Sequence, residues 1–347
     1  MAEAVAQTAL GGMAETQEPE AAKRMVEEAR ASCAALFGAQ AEEIAFVGPT
    51  AVGLSLVAAG IDWQPGDEVV YYAEDYPSNV YPWTDLARQG VKPVAVETPV
   101  SGHLTPELVF AALTSRTRLV ALPSCHFLTG YRVDVKTIGR ELARRDILFC
   151  VDAIQSLGAT PLDAADFDFL SAGAHKWLLG PLGSGVFYVK KSRFDLLRPI
   201  LLGSMNVVSP RFIPQKEIAF PAHARRYEAG GLNVAGIAGL NAAAGLLGAV
   251  GVERIAERLL SLHAYAADLL RHAGFTVLSD AFPEEAKSGI ITAHKPGTDL
   301  KPLFDRLEAR NIAASLRWDA KGNGYLRFSP HFYNTDRELE ETAEILA

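Results

Sequence analysis

Phe149-Cys-Val-Asp-Ala-Ile-Gln155 and, a little further on, Ser171-Ala-Gly-Ala-His-Lys-Trp177 are the two stretches whose reading decides the fold. Ile147 to Val151 is a short apolar run rich in β-branched and aromatic residues, the pattern of a strand buried on both faces of a parallel sheet, and it stops at an acid, Asp152. In open α/β sheets the carboxyl ends of the strands border the ligand crevice, so this acid faces a ligand. A second run, Phe167 to Leu170, leads into Ala174-His175-Lys176-Trp177, which sets a lysine among apolar and aromatic neighbours with a histidine beside it.

An amine attacks a carbonyl only when it is neutral, and desolvation beside another cationic group lowers a lysine's pKa toward that state. A carboxylate and a lysine on adjacent strand ends are what pyridoxal phosphate needs. The aldehyde condenses with Lys176, and Asp152 keeps the pyridine nitrogen protonated so that the ring draws electrons from a substrate carbanion. Gln155, three residues after Asp152, is placed to reach the ring hydroxyl.

V-D-A-I-Q-S-L-G from Val151 and S-A-G-A-H-K-W-L-L-G-P-L-G-S-G from Ser171 together resemble the lysine region of the class V aminotransferases, the family of cysteine desulfurases, isopenicillin N epimerase and kynureninase. The pair His175-Lys176 resembles the desulfurase and epimerase branch, since glutamine usually precedes the lysine in the alanine-glyoxylate branch. The resemblance implies the fold-type I pyridoxal-phosphate transferase fold: an α/β chain with a mostly parallel seven-stranded sheet flanked by helices, and a smaller C-terminal α/β domain. The strongly helical stretch Asn233 to Ala273 contains the expected hinge near Gly251, so residues 1–250 form the expected large domain and 251–347 the small one.

Other segments fit the same frame. Ala45-Phe46-Val47 reads as a strand and Ala51 to Ala59 as a helix, with Thr50 as its expected N-cap and the free N–H groups of Ala51 and Val52 as an anion site. In the family this turn holds the cofactor phosphate. D-Y-P-S-N-V-Y-P-W, from Asp75 into an expected helix Val80 to Arg88, resembles the loop that stacks a ring on the pyridine, which gives that place to Tyr76. After a strand at Leu119 to Leu122, the loop ending F-L-T-G-Y-R-V-D resembles the epimerase-type version. Either Ser124 or His126 faces the cofactor there, His126 as a general acid or as a plain hydrogen-bond partner.

R-R-Y-E-A-G-G-L-N from Arg225 resembles the family's R-x-E-A-G-T-x-N turn, which reaches across a dimer to the neighbour's cofactor phosphate, with Gly231 where threonine is usual. Gly173 likewise replaces the usual serine or threonine three positions before the lysine. Backbone N–H groups at glycine still bind phosphate. L-R-F-S-P-H-F-Y-N-T resembles the family's carboxylate-binding motif and assigns that role to Arg327, with Arg317 as a second candidate. The resemblance runs from about Glu43 to Leu346, and the longer amino-terminal segment that family members bring to the active site is not evident before it. The proline-rich excursion Arg193 to Ala224 is expected near the active-site mouth.

The net charge of −8 with no basic run argues against nucleic acid or anionic membranes as partners and leaves a small-molecule amino acid, with a homodimer implied by the resemblance. Met1 to Met13 has no basic start followed by an apolar core, and Ala242 to Val252 is too short and glycine-broken to span a bilayer. Cys33, Cys125 and Cys150, widely spaced in apolar company, suit buried thiols of the cytoplasm better than a disulfide framework or a metal site, and no metal is expected. A persulfide-forming desulfurase needs a thiol on the mobile loop of the small domain, and Ser315 to Gly324 has none. That leaves β-elimination, transamination or epimerisation, and the resemblance of the lysine and carboxyl-terminal motifs to the desulfurase and epimerase branch implies a lyase eliminating the β-sulfur of a cysteine-like substrate. Transamination or epimerisation is the alternative, and a catalytically silent binding subunit is the alternative of another class.

Overall fold

The computed structural model of the chain describes residues 20–347. The stretch Met1 to Met13, read above for a targeting signal, lies outside them. Seven strands, β1 (Ile44–Val47), β2 (Glu68–Tyr72), β3 (Lys92–Val96), β4 (Thr117–Pro123), β5 (Leu148–Asp152), β6 (Phe169–Gly173) and β7 (Gly185–Val189), form one sheet in the order β1-β7-β6-β5-β4-β2-β3. From β3 across to β6 the pairing is parallel, and β7 runs against both of its neighbours. This is the mostly parallel seven-stranded sheet that the resemblance implies.

Along β5 the side chains alternate between two layers. Leu148 and Cys150 pack in one core with Leu54 and Val57 of α2 (Thr50–Gly60) and Trp83 of α3 (Tyr81–Thr84). Phe149 and Val151 pack in the other with Val26 of α1 (Glu20–Ala35) and Ile138 of α5 (Val135–Arg144), which follows the short α4 (Pro106–Ala111). Burying each such side chain contributes about 1.5–3 kcal/mol, and burial on both faces is why β5 has no polar residue before Asp152.

Two long helices follow, α6 (Val234–Val250) and α7 (Val252–His272), bent by 80° at Gly251, which sits at φ +90° and so ends the helical path where a side chain would be strained. Among the described residues no single helix is long and apolar enough to cross a membrane. The last third forms an antiparallel sheet, β10-β11-β9-β8, from β8 (Thr276–Val277), β9 (Ile291–His294), β10 (Ser315–Trp318) and β11 (Gly324–Phe328). Its core joins Ile291 and Leu326 to Leu270 of α7, Leu307 of α8 (Lys301–Glu308) and Leu346 of α9 (Asp336–Leu346).

Several local expectations are corrected. The helix expected over Val80 to Arg88 is the four-residue α3 followed by a 3-10 turn, Asp85–Gln89, that closes on Gly90 at φ 80°. β8 stops after Thr276–Val277 because Leu278 begins a 3-10 turn. The N-cap of α2 is Pro49, and Thr50 is already helical. The excursion after Arg193 forms only short 3-10 turns and packs against the carboxyl end of α2, where Ile61 bridges Leu197, and against Arg226 and Tyr227. That is the end of α2 away from Thr50.

Candidate active site

Parallel strands bring their carboxyl ends to one edge of the sheet, so the loops after β2, β4, β5 and β6 rise together around one crevice. The loop after β6 carries Lys176, half-buried, with its Nζ 5.7 Å from the centre of the Tyr76 ring on the loop after β2. Burial lowers the Lys176 amine to about 8, Arg327 and Arg317 push the same way, and Asp152 and Asp75 oppose them. Asp152 is buried, accepts from the Ile154 N–H at 3.0 Å, and is raised to about 6 by desolvation, with Ile154 and Lys176 holding it down. One crevice thus holds a lysine near its working pKa opposite a carboxylate.

Gln155 is also buried. Its Oε1 accepts from the Trp177 indole at 3.1 Å, while its Nε2 has no partner. Thr50, assigned above as an N-cap, instead accepts the Gly173 N–H on its Oγ1 at 2.9 Å, and its carbonyl accepts from Ser171 Oγ at 2.9 Å. Val52 N–H is not free, since it donates to the Pro49 carbonyl at 2.9 Å, which leaves Ala51 to present the open amide of this turn. A Cβ at Gly173 would lie 3.3 Å from both Thr50 Oγ1 and the His175 ring, so the space of the usual hydroxyl residue is already taken by the threonine hydroxyl and the histidine. His175 stays exposed, its pKa lowered by burial of the ring and by Lys176. Gly231 is exposed with open space around it, and no contact within this chain ties it to Lys176.

His126 has both ring nitrogens engaged, Nε2 with the Glu74 carbonyl and Nδ1 with Thr129 Oγ1, each at 3.0 Å, and burial lowers it to about 4. Of its two readings the geometry supports the hydrogen-bond partner, because both ring nitrogens are already engaged within the chain. Ser124 is turned away too, its Oγ donating to the Asp152 carbonyl. Arg327 on β11 reaches the large sheet, where Nη1 donates to the Phe127 carbonyl, and its buried Nε has no partner. Burial and then Arg317 lower it to about 10. Arg317 and Arg327 lie two positions apart in the β10–β11 register and so share a face, but Arg317 is exposed.

Asp75 belongs to this crevice and was not singled out above. It is buried and raised to about 8, first by desolvation and then by Asp152, and it accepts from Tyr76 N–H at 2.7 Å and from Asn79 Nδ2 at 2.8 Å. Its adjacency to Tyr76 was the only signal in the sequence.

The profile for aminotransferase class-V matches residues 8–341. A probable cysteine desulfurase of Methanothermobacter thermautotrophicus is 34% identical over 94% of this chain and 84% of its own length. The chain belongs to the class V aminotransferase family. The match begins well before Glu43, which corrects the boundary drawn from motifs alone. An isopenicillin N epimerase of Amycolatopsis lactamdurans is 30% identical over 92% of this chain and 83% of its own. Among solved structures, the apo cysteine desulfurase of Thermococcus onnurineus NA1 superposes with a TM-score of 0.88 at 25% identity, over 96% of this chain and 85% of that one. The cystine C-S lyase C-DES, at 21% identity and a TM-score of 0.86, shares the fold.

As a class V aminotransferase the protein is a pyridoxal-phosphate enzyme. The crevice fits that cofactor: Gln155 offers a buried N–H without a partner, and the Asp152 carboxylate accepts a single hydrogen bond among the described residues, leaving one oxygen for a ring nitrogen.

Proposed function

We propose that this class V enzyme is a carbon–sulfur lyase that eliminates the β-sulfur of a cysteine-like α-amino acid. The observation that carries the reading is Lys176 lowered to about 8 between Asp152 and Arg327, with every thiol of the chain buried. All three cysteines are buried and free, and burial pushes Cys33 up to about 12, Cys125 up to about 11 and Cys150 well above the ordinary thiol range. Buried, protonated thiols are poor nucleophiles. The thiols also support a reducing cytoplasmic setting.

Pyridoxal phosphate supplies the carbonyl that takes up the substrate amine and the electron sink for the α-carbanion. The chain supplies the rest. When the cofactor is bound, Asp152 would hold the ring nitrogen, Gln155 would donate from Nε2 to the ring hydroxyl, Tyr76 would pack on the ring, and Thr50, Ala51 and His175 would hold the phosphate. Arg327, with Arg317 at the rim, binds the substrate carboxylate. Lys176 then takes the α-proton on Nζ, the sulfur leaves with the Cβ–S electron pair, and no protein thiol takes part.

In this reading residues 1–250 and 251–347 act as two domains, and a second copy completes the site with Gly231 and its turn. Ile200, Leu201, Leu202, Phe212, Ile213 and Ile218 support the homodimer, being large apolar residues 41–62% exposed in one chain. Sedimentation of an active, cofactor-loaded monomer would refute it.

The function is tested by incubating cofactor-loaded protein with cysteine, cystine and S-alkyl cysteines and identifying products. Pyruvate and ammonia are expected. Alanine with a protein persulfide, a keto acid formed at the expense of an amino acceptor, or the D-enantiomer would each replace the lyase reading with another.

A further inference from the structure

His331 lies four residues past Arg327, in the turn that follows β11, and is buried. Its Nδ1 accepts the Phe332 N–H at 2.9 Å, which leaves the ring proton on Nε2, and Nε2 donates to the Trp177 carbonyl at 3.1 Å. Burial lowers its pKa, although the Trp177 carbonyl opposes this, so the ring stays uncharged at physiological pH. The imidazole stacks on Tyr333, with centroids 5.3 Å apart and planes 3° from parallel, and the Trp177 ring closes on it at 5.2 Å. The turn itself is pinned. His331 N–H donates to Asn334 Oδ1 at 2.8 Å, Asn334 N–H returns to the His331 carbonyl at 2.9 Å, and Arg258 donates to the Asn334 carbonyl at 3.0 Å.

The other end of this contact is the lysine loop. Trp177 follows Lys176 directly, and no backbone donor reaches its carbonyl among the described residues, so His331 meets an acceptor that would otherwise be buried unpaired. The loop is tight there: Leu179 N–H donates to the Lys176 carbonyl at 3.0 Å and Gly180 N–H to the Ala174 carbonyl at 2.8 Å. A shift of the Trp177 peptide therefore carries Lys176 with it. His331 and Arg327 share one short segment of the antiparallel sheet, whereas Lys176 follows a strand of the parallel one. The bond from Nε2 thus ties the arginine assigned to the substrate carboxylate to the lysine amine, from one sheet to the other.

We propose that His331 is a positioning residue for Lys176: by holding the Trp177 carbonyl it sets the amine against Arg327, and so against the α-proton of a substrate whose carboxylate Arg327 binds. The role rests on the reading above that Lys176 takes the α-proton, and it is the same whether the substrate is then eliminated, transaminated or epimerised. His331 touches neither substrate nor cofactor in this role. A misplaced general base slows proton transfer while the grip on the carboxylate stays intact, which separates positioning of Lys176 from a part in substrate binding.

The test mixes cofactor-loaded protein with S-methyl-L-cysteine carrying hydrogen or deuterium at Cα, follows the cofactor absorbance by stopped flow, and measures pyruvate in parallel. His331→Phe keeps a stacked ring and removes the donor, and His331→Gln returns an N–H near the place of Nε2. In His331→Phe the deuterium-sensitive phase is expected to slow about tenfold, the scale of one buried hydrogen bond, at an unchanged dissociation constant for the amino acid. The pH midpoint of the cofactor absorbance should shift as well, and His331→Gln should recover most of the rate. An unchanged rate or midpoint in His331→Phe, a loss confined to the dissociation constant, or a His331→Gln as slow as His331→Phe overturns the positioning role. Where His331→Phe does not fold or load, His331→Gln is compared with His331→Met, alike in length but without a donor. A wild-type phase insensitive to deuterium would remove the proton step of Lys176 and the proposal with it. A deuterium-sensitive phase that responds to His331 but yields no pyruvate leaves the positioning role standing and refutes the lyase reading.

Discussion

The indole N–H of Trp177 donates to the amide oxygen of Gln155 at 3.1 Å, across 22 residues of chain. Indole can only donate, so this contact fixes which end of the amide points where, and Nε2 is the end left over. Trp177 itself is wedged in a slot where a Cβ at Gly158 would come within 2.7 Å of its carbonyl and one at Gly289 within 2.9 Å of its ring. His331 Nε2 donates to the same carbonyl at 3.1 Å. The residue after the lysine is thereby held from several sides. Trp177→Phe keeps the bulk but releases the amide, and should weaken cofactor binding by about tenfold, the scale of one buried hydrogen bond. It should also move the pH midpoint of the cofactor absorbance. If both are unchanged, Trp177 does not orient Gln155.

Borohydride reduction of cofactor-loaded protein followed by peptide mapping should place the label on Lys176. Lys190 and Lys191 follow β7, and a label there would overturn the site. Lys176→Ala should retain the fold, since the amine makes no hydrogen bond among the described residues, and should abolish turnover.

Arg327→Lys should lower kcat/KM on the order of a hundredfold, mainly through KM, because an ammonium cannot reproduce two parallel hydrogen bonds to a carboxylate. Arg317→Ala should cost less, as its side chain is exposed. Loss of equal size in both variants would mean that the carboxylate sits between the two arginines.

A carboxyl whose folded pKa lies above its unfolded value lets the native state hold the extra proton between the two, so stability is lost as pH rises through that window. Asp152, raised from 3.8 to about 6, and Asp75, raised from 3.8 to about 8, both have this sign. The cofactor-free protein should lose stability from about pH 4 to pH 8. Asp152→Asn should remove about 2 kcal/mol of the loss between pH 4.5 and pH 7.5, the part of its shift that falls in that window. Denaturant melts at pH 4.5 and 7.5 give the answer, and parallel slopes for the two proteins would refute it.

Replacing Cys33, Cys125 and Cys150 by alanine or serine should lower stability by lost packing while folded, cofactor-loaded protein still turns over. Wild-type protein that releases alanine from cysteine, accumulates a protein persulfide, and loses both on replacement of one cysteine would make that residue the nucleophile.

Much of this protein is decided by patterns local in the chain. Apolar runs that stop at Asp152 and near Lys176 dictate strands buried on both faces with polar ends at one edge, because a parallel sheet leaves its interior positions no water. That suffices for the fold class, the cofactor, and the residues Lys176, Asp152 and Gln155 as candidates. Tertiary structure decided what depends on segments far apart in sequence. Arg30 forks onto Glu228 at 2.6 and 2.8 Å, a buried pair 198 residues apart that also fixes Phe46 N–H, and no periodicity announces it. Asp75 joins the crevice only because β2 and β5 end at the same edge, and only the approach of Glu74 and Thr129 engages both ring nitrogens of His126. The chain's periodicity says which side chains leave water. Only the packing of loops from different strands says which polar atoms then find partners, and Gln155 Nε2 and Arg327 Nε are among the buried ones that find none.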